Sequence, residues 1–94
     1  MLQIARALPP GMPSCGPGHH PQLVETRGAP RGHRVGTPCP SRWHVECALC
    51  GQATTPELSQ AQALLYWRAP ADLFRIPLSK LGDVRTRIAA AIAA

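Results

Sequence analysis

The sequence predicts a small α+β fold, a β-hairpin followed by one or two helices. Three observations carry that expectation. Of the 94 residues, 19 are Gly or Pro, and 16 of these fall in residues 1–56. Turns and short strands therefore belong to the first part of the chain, and helices to the second. Residues 43–49 alternate large apolar and other residues with a period of two, the pattern of a strand with one buried face. Beyond residue 58, apolar residues recur at spacings of three and four, as on one face of a helix.

The core is small. The hydrophobic fraction is 45%, but 14 of those residues are alanine, so fewer than a third of all side chains are large enough to fill an interior. One small domain is the ceiling. A chain this short, with only 4% aromatic residues, needs a staple: a disulfide, a metal or a partner. Its four Cys and four His are the obvious material.

Taken in order, residues 1–11 read as a flexible arm or a frayed short helix, ended by Pro9-Pro10-Gly11. Residues 22–26 form a short strand. Residues 27–41 hold Arg27, Arg31 and Arg34, no acidic residue, and three Gly with three Pro, which describes an exposed basic loop. The strand at 43–49 returns to pair with the first. Ser59 and Gln62 form a capping box, with Leu58 and Ala63 at the staple positions. Thr55-Pro56 is an alternative start for the same helix. Ala63, Leu64 and Trp67 line its inner face, and Pro70 stops it. Leu73, Phe74 and Ile76 suggest an extended segment before Pro77. A last helix runs from about Ser79, with Leu81, Val84, Ile88 and Ile92 on one side. The expected organisation is an arm at 1–11, a domain at 12–69 and a helical extension at 70–94.

The strongest chemical signal is Cys47-Ala48-Leu49-Cys50-Gly51. Two cysteines three apart, followed by glycine, form a tight turn whose amides point at the thiolates, the knuckle of a structural zinc site. A redox pair with this spacing sits at a helix start, whereas this pair ends a strand, which favours metal. Four ligands are needed. The second knuckle is expected at Met12-Pro13-Ser14-Cys15-Gly16, where a methionine occupies the position of the first cysteine and offers only a poor thioether ligand. Cys15, Cys47 and Cys50 are therefore three ligands. His19 is the first candidate for the fourth, His20 and Cys39 are alternatives, and His44 is the weakest because it faces away from Cys47. A ribbon that has lost its metal is the remaining alternative. The fold expectation thus becomes a zinc-ribbon-like hairpin with helices after it.

These residues resemble the small phage and prophage restriction-alleviation proteins of the Lar type. That family's pattern is a CPxCG knuckle, a β-hairpin, a CxxC knuckle, and a Ser-capped helix with a central alanine and a Trp-Asn end. Here Cys47 and Cys50 are similar to the second knuckle, Met12 to Gly16 to the first, and Ser59, Ala63 and Trp67 to the helix. The match covers residues 12–68. It departs at Met12, at Arg68 in place of asparagine, in the long basic loop, and in residues 69–94. The resemblance implies a small protein that modulates host type I restriction-modification through contact with a restriction-modification protein.

Other classes are argued against or kept as alternatives. The five acidic residues are scattered, so no pair suits acid–base catalysis, and no phosphate-cradling loop or nucleophile elbow is present. No enzyme is expected. The net charge is +5, and nine of ten cationic residues are Arg, which suits phosphate. The alternative function is therefore nucleic-acid binding through Arg27, Arg31, Arg34 and Arg42, with His33 or Trp43 stacking on bases. A solvated basic loop explains the same arginines. No apolar run reaches the length of a membrane span, and Met1 to Leu8 is too short and too charged for a signal peptide. The expected setting is the cytoplasm, where thiols bind metal rather than pair.

Overall fold

The computed structural model describes residues 2–13, 15–28, 40–69 and 74–93. They form an α+β fold built on one five-stranded antiparallel sheet with strands in sequence order. The strands are β1 (Leu2–Ala7), β2 (Gln22–Arg27), β3 (Arg42–Cys47), β4 (Gln52–Thr54) and β5 (Arg75–Pro77). Helix α1 (Gln60–Arg68) lies between β4 and β5. A 3-10 turn at Leu78–Lys80 leads from β5 into α2 (Leu81–Ala93).

The sheet is larger than the expected hairpin. The central pair is as predicted, with Leu23 opposite Val45 and Val24 opposite His44. Residues 1–11, however, are not an arm. Leu2–Ala7 pairs along its whole length with β2, from Leu2 opposite Arg27 to Ala7 opposite Gln22. Nor is the C-terminal part a separate extension, because β5 pairs with β4 through Ala53 and Ile76. A single sheet thus draws on all three expected segments. The reason is the entropy of ordering: a two-stranded hairpin buries too little to stand alone, whereas extra strands provide a face broad enough to cover.

The two faces of that sheet differ. Directly opposite residues share a face, so Leu23, Val45 and Cys47 lie on one side and Val24, His44 and Glu46 on the other. Helix α1 covers the first side with Ala63 and Trp67, and these five residues form the buried core. Ser59 caps α1 as its sequence predicts, its hydroxyl accepting from the Gln62 amide at 3.3 Å. Leu58 is exposed rather than stapled against Ala63. Leu49, expected on the strand's buried face, is also exposed, because β3 ends at Cys47 and the chain turns there. The predicted last helix is α2, preceded by its single 3-10 turn.

Candidate metal centre

Two connections meet at one end of the sheet, where β1 leads into β2 and β3 leads into β4. Each brings ligand-type side chains. In the first, Gly16-Pro17-Gly18-His19 closes a turn in which the His19 amide donates to Gly16 O at 3.1 Å. Proline at its second position and Gly18 at its third, with φ of +75°, meet the demands of a type II turn. This reversal carries His19 back beside Cys15. In the second connection the Gly51 amide donates to Cys47 O at 3.0 Å. Gly51 has φ of +66°, so the predicted use of its conformational freedom is realised.

The result is a cluster of four donors. Sγ of Cys15, Cys47 and Cys50 and a ring nitrogen of His19 all lie within 4.8 Å of one another. Cys15 Sγ is 3.2 Å from Cys47 Sγ and 3.0 Å from His19 Nδ1; Cys47 Sγ is 3.5 Å from the same nitrogen. Tetrahedral zinc with sulfur and nitrogen ligands separates its donor atoms by about 3.7 Å, so this donor set is of the size and chemistry a metal ion requires. The three thiols are free rather than paired as disulfides.

The thiols are unequal. Burial, reinforced by hydrogen bonds to Cys47 and Cys50, pushes Cys15 up to about 12. Burial works against the charge on Cys47 as well. There it is outweighed by the Cys50 backbone amide and by hydrogen bonds with Cys15, Cys50 and His19, which bring Cys47 down to about 6. Of Cys15 and Cys47, Cys47 is thus the one that more readily carries charge, the form a metal binds.

Helix α1 holds this end of the sheet together. Trp67 is 1% exposed, and its indole Nε1 donates to Pro13 O at 2.8 Å, tying the first connection to the core. The Arg75 guanidinium lies 3.9 Å from the Trp67 ring centroid. It donates to Gln52 Oε1 and Trp67 O, both at 3.1 Å, so β4, β5 and α1 are joined at one residue. Met12 packs against the core and receives Arg68 Nη2 on its sulfur at 3.2 Å. The methionine in the knuckle is therefore packing material, with His19 taking the fourth donor position.

Of the predicted ligands, Cys15, His19, Cys47 and Cys50 are brought together. His20 is exposed and is not in the cluster, and Cys39 lies outside the described residues. His44 faces the opposite side of the sheet, as expected from its register. It is fully buried, with Nε2 2.8 Å from Glu46 Oε1 and Nδ1 3.4 Å from Arg85 Nη2. Arg85, from α2, also donates to Thr26 Oγ1 at 3.2 Å. With the Gln3 amide turned so that its oxygen accepts, both Arg85 Nη groups reach it at 2.7 Å. Sequence reasoning missed this buried polar group, because Arg85 is 41 residues from His44 and nothing local links them.

The nucleic-acid candidates are divided. Arg27 Nε donates to Glu25 Oε2 at 2.8 Å, and the bond holds the Glu25 carboxyl below the usual range. Arg42 Nη1 reaches Pro56 O at 3.5 Å. Arg31 and Arg34 lie outside the described residues. Beside the four-donor cluster is an open cleft of about 430 Å³ whose walls include Leu8, Pro10, Met12, His19 and His20. Among the described residues, its lining contains no carboxylate. No helix among the described residues is long and apolar enough to cross a membrane.

Comparison with family models, with curated proteins and with solved structures finds no match to this chain.

Proposed function

We propose that this chain is a zinc-stapled module, without catalytic activity of its own, that acts by contact with another protein. The observation that carries the reading is the convergence of Cys15, His19, Cys47 and Cys50 within 4.8 Å at the junction of two knuckle-type turns. Three thiolates and an imidazole make a soft donor set that suits zinc, and a closed set of four is the structural rather than the catalytic arrangement. A hydrolytic site would keep an open position and a carboxylate base beside it, whereas the cleft bordering His19 is lined largely by proline and aliphatic side chains.

The kind of partner follows from the resemblance in the sequence. Ser59, Ala63 and Trp67, the residues that make the helix similar to that of restriction-alleviation proteins, are the ones that cap α1, pack it on the sheet and tie it to the first knuckle. On this reading the chain is a cytoplasmic phage or prophage protein, and its partner is a host type I restriction-modification protein. Two measurements test it. Metal analysis of purified protein is expected to give one zinc per chain; a chain free of metal as isolated, and unable to take up zinc, overturns the stapled module. Expression in a restricting host is expected to raise the plating efficiency of unmodified phage, and unchanged plating by a zinc-loaded, folded chain removes the restriction partner while leaving the module intact.

A further inference from the structure

The two edges of the sheet are built differently. β5 is three residues long, begins at Arg75 and ends in Pro77, so it is short and its proline donates no hydrogen bond. These are the ordinary protections of a strand edge. β1 has none of them. Its six residues, Leu-Gln-Ile-Ala-Arg-Ala, contain no proline or glycine, and five of the six are exposed. Its pairing with β2 runs without a bulge, and no strand among the described residues lies on its outer side. Its one charge, Arg6, leans back on Glu25 of β2 at 3.5 Å, so that charge is directed along the sheet rather than set to repel a newcomer. An unprotected edge of this length offers a row of outward backbone amides and carbonyls for another strand.

We propose that the strand which fits this edge is β1 of a second copy of the chain, paired antiparallel about a two-fold axis at Ile4. An isologous contact needs a self-complementary strand. In a continuous antiparallel sheet, opposite residues share a face, so the axis passes through a residue and the two copies pair in even register. With the axis at Ile4, Ile4 faces Ile4 of the second copy, Gln3 faces Ala5, and Leu2 faces Arg6. On the side covered by α1, the rows across the junction then read Arg27, Leu2, Arg6, Leu23, and Glu25, Ile4, Ile4, Glu25. Charged and apolar side chains alternate along the outer rows, no two like charges stand directly opposite, and each Leu2 stands between two arginines in its row. Leu2, 57% exposed in the single chain, is the side chain that gains most. Helix α1 packs on β3 and β4, away from this edge. One strand pair buries less than the roughly 1,000 Å² of a stable interface, so the dimer is reversible and fills with concentration.

The test is sedimentation velocity on the zinc-loaded chain from micromolar to millimolar concentration, with zinc content and far-UV circular dichroism recorded on each sample. The parent chain is expected to pass from monomer to dimer. Ile4→Lys places two like charges on the axis and is expected to stay monomeric with unchanged zinc and fold, whereas Ile4→Val retains the dimer. Should Ile4→Lys fail to fold, hydrogen exchange on the parent supplies the readout, with the outward amides of β1 slowing as concentration rises. A parent that is monomeric throughout, a dimer that persists in folded Ile4→Lys, or β1 amides protected only when a different protein is added would each overturn the proposal.

Discussion

The two faces of the sheet solve the same problem by different means. On the side of α1, apolar side chains and the four-donor cluster are continuous: Cys47 is at once a core residue and a ligand-type residue, and Trp67 both fills the core and holds Pro13. On the side of α2, the contact is polar, with Arg85 reaching Thr26, His44 and Gln3, and Leu81 at the start of α2 is buried. Apolar burial is non-directional and grows with area, so the first face stabilises the whole fold. A buried polar group instead adds little net stability and penalises any arrangement that leaves it unpaired. The first face therefore carries the stability, and the second fixes where α2 sits.

The largest test of that division rests on the proposed zinc and removes it, or removes Cys47 from the four-donor cluster. Structural zinc contributes apparent free energies of roughly 10–16 kcal/mol to small domains at neutral pH, which exceeds the whole stability of most domains of this size. Cys47→Ser, or a strong chelator, is expected to abolish cooperative unfolding and leave the chain largely unfolded by circular dichroism. A variant that keeps both its zinc and its melting transition would show that the α1 face does not depend on the cluster.

Trp67 sharpens the same point. Trp67→Ala should cost about 3–5 kcal/mol through lost burial and the cavity left behind. Trp67→Phe keeps most of the volume but removes the hydrogen bond to Pro13 O, and should cost about 1–2 kcal/mol. If the indole also positions the first knuckle, Trp67→Phe weakens zinc affinity in a chelator competition. An unchanged affinity would limit Trp67 to packing.

How much of this was legible beforehand follows from the range of each signal. The capped helix, the central strand pair and the 47–50 knuckle rest on local spacing and were readable. His19 was readable as one of four candidates, and the Gly16–His19 turn is what selects it over His20, since a type II reversal brings one of the two adjacent imidazoles onto Cys15 and leaves the other outside. Pro9-Pro10-Gly11 marks the end of an arm and the start of a connection equally well, so it does not by itself reveal that Leu2–Ala7 pairs with β2. The alternation of Leu2 and Ile4 with Gln3 and Ala5 was the available signal. Arg85 carried no signal at all, because a helical arginine among exposed residues looks the same whether or not a buried histidine awaits it.

On the α2 face, Arg85→Met keeps the aliphatic stem and removes the guanidinium. The expected loss is about 1–2 kcal/mol, from the Thr26 and His44 acceptors left with one partner fewer. Zinc content should be unchanged, and hydrogen exchange should quicken in α2 but not in α1. Faster exchange in α1 as well would mean that the two faces are coupled, which breaks the division.

The smallest expected effect is a slope. Burial lowers the pKa of His44, the Glu46 carboxylate opposes that shift, and the Arg85 guanidinium adds to it, so the folded state holds His44 neutral below its ordinary value of about 6.5. Between that value and the lowered one, the unfolded chain binds a proton that the folded chain refuses, and stability falls as pH falls. Above about pH 6.5 His44 contributes no slope. If the cluster holds zinc as proposed, protonation of its thiolates also destabilises at low pH, so the informative quantity is the difference from His44→Gln, which keeps a polar side chain and cannot titrate. Denaturant midpoints measured from pH 7.5 down to 5 should fall less steeply in His44→Gln than in the parent. Adding Arg85→Met to the parent should also flatten the slope, because it removes a positive charge that helps keep His44 neutral. Equal slopes in all three proteins would show that the polar contact under α2 does not select the neutral imidazole.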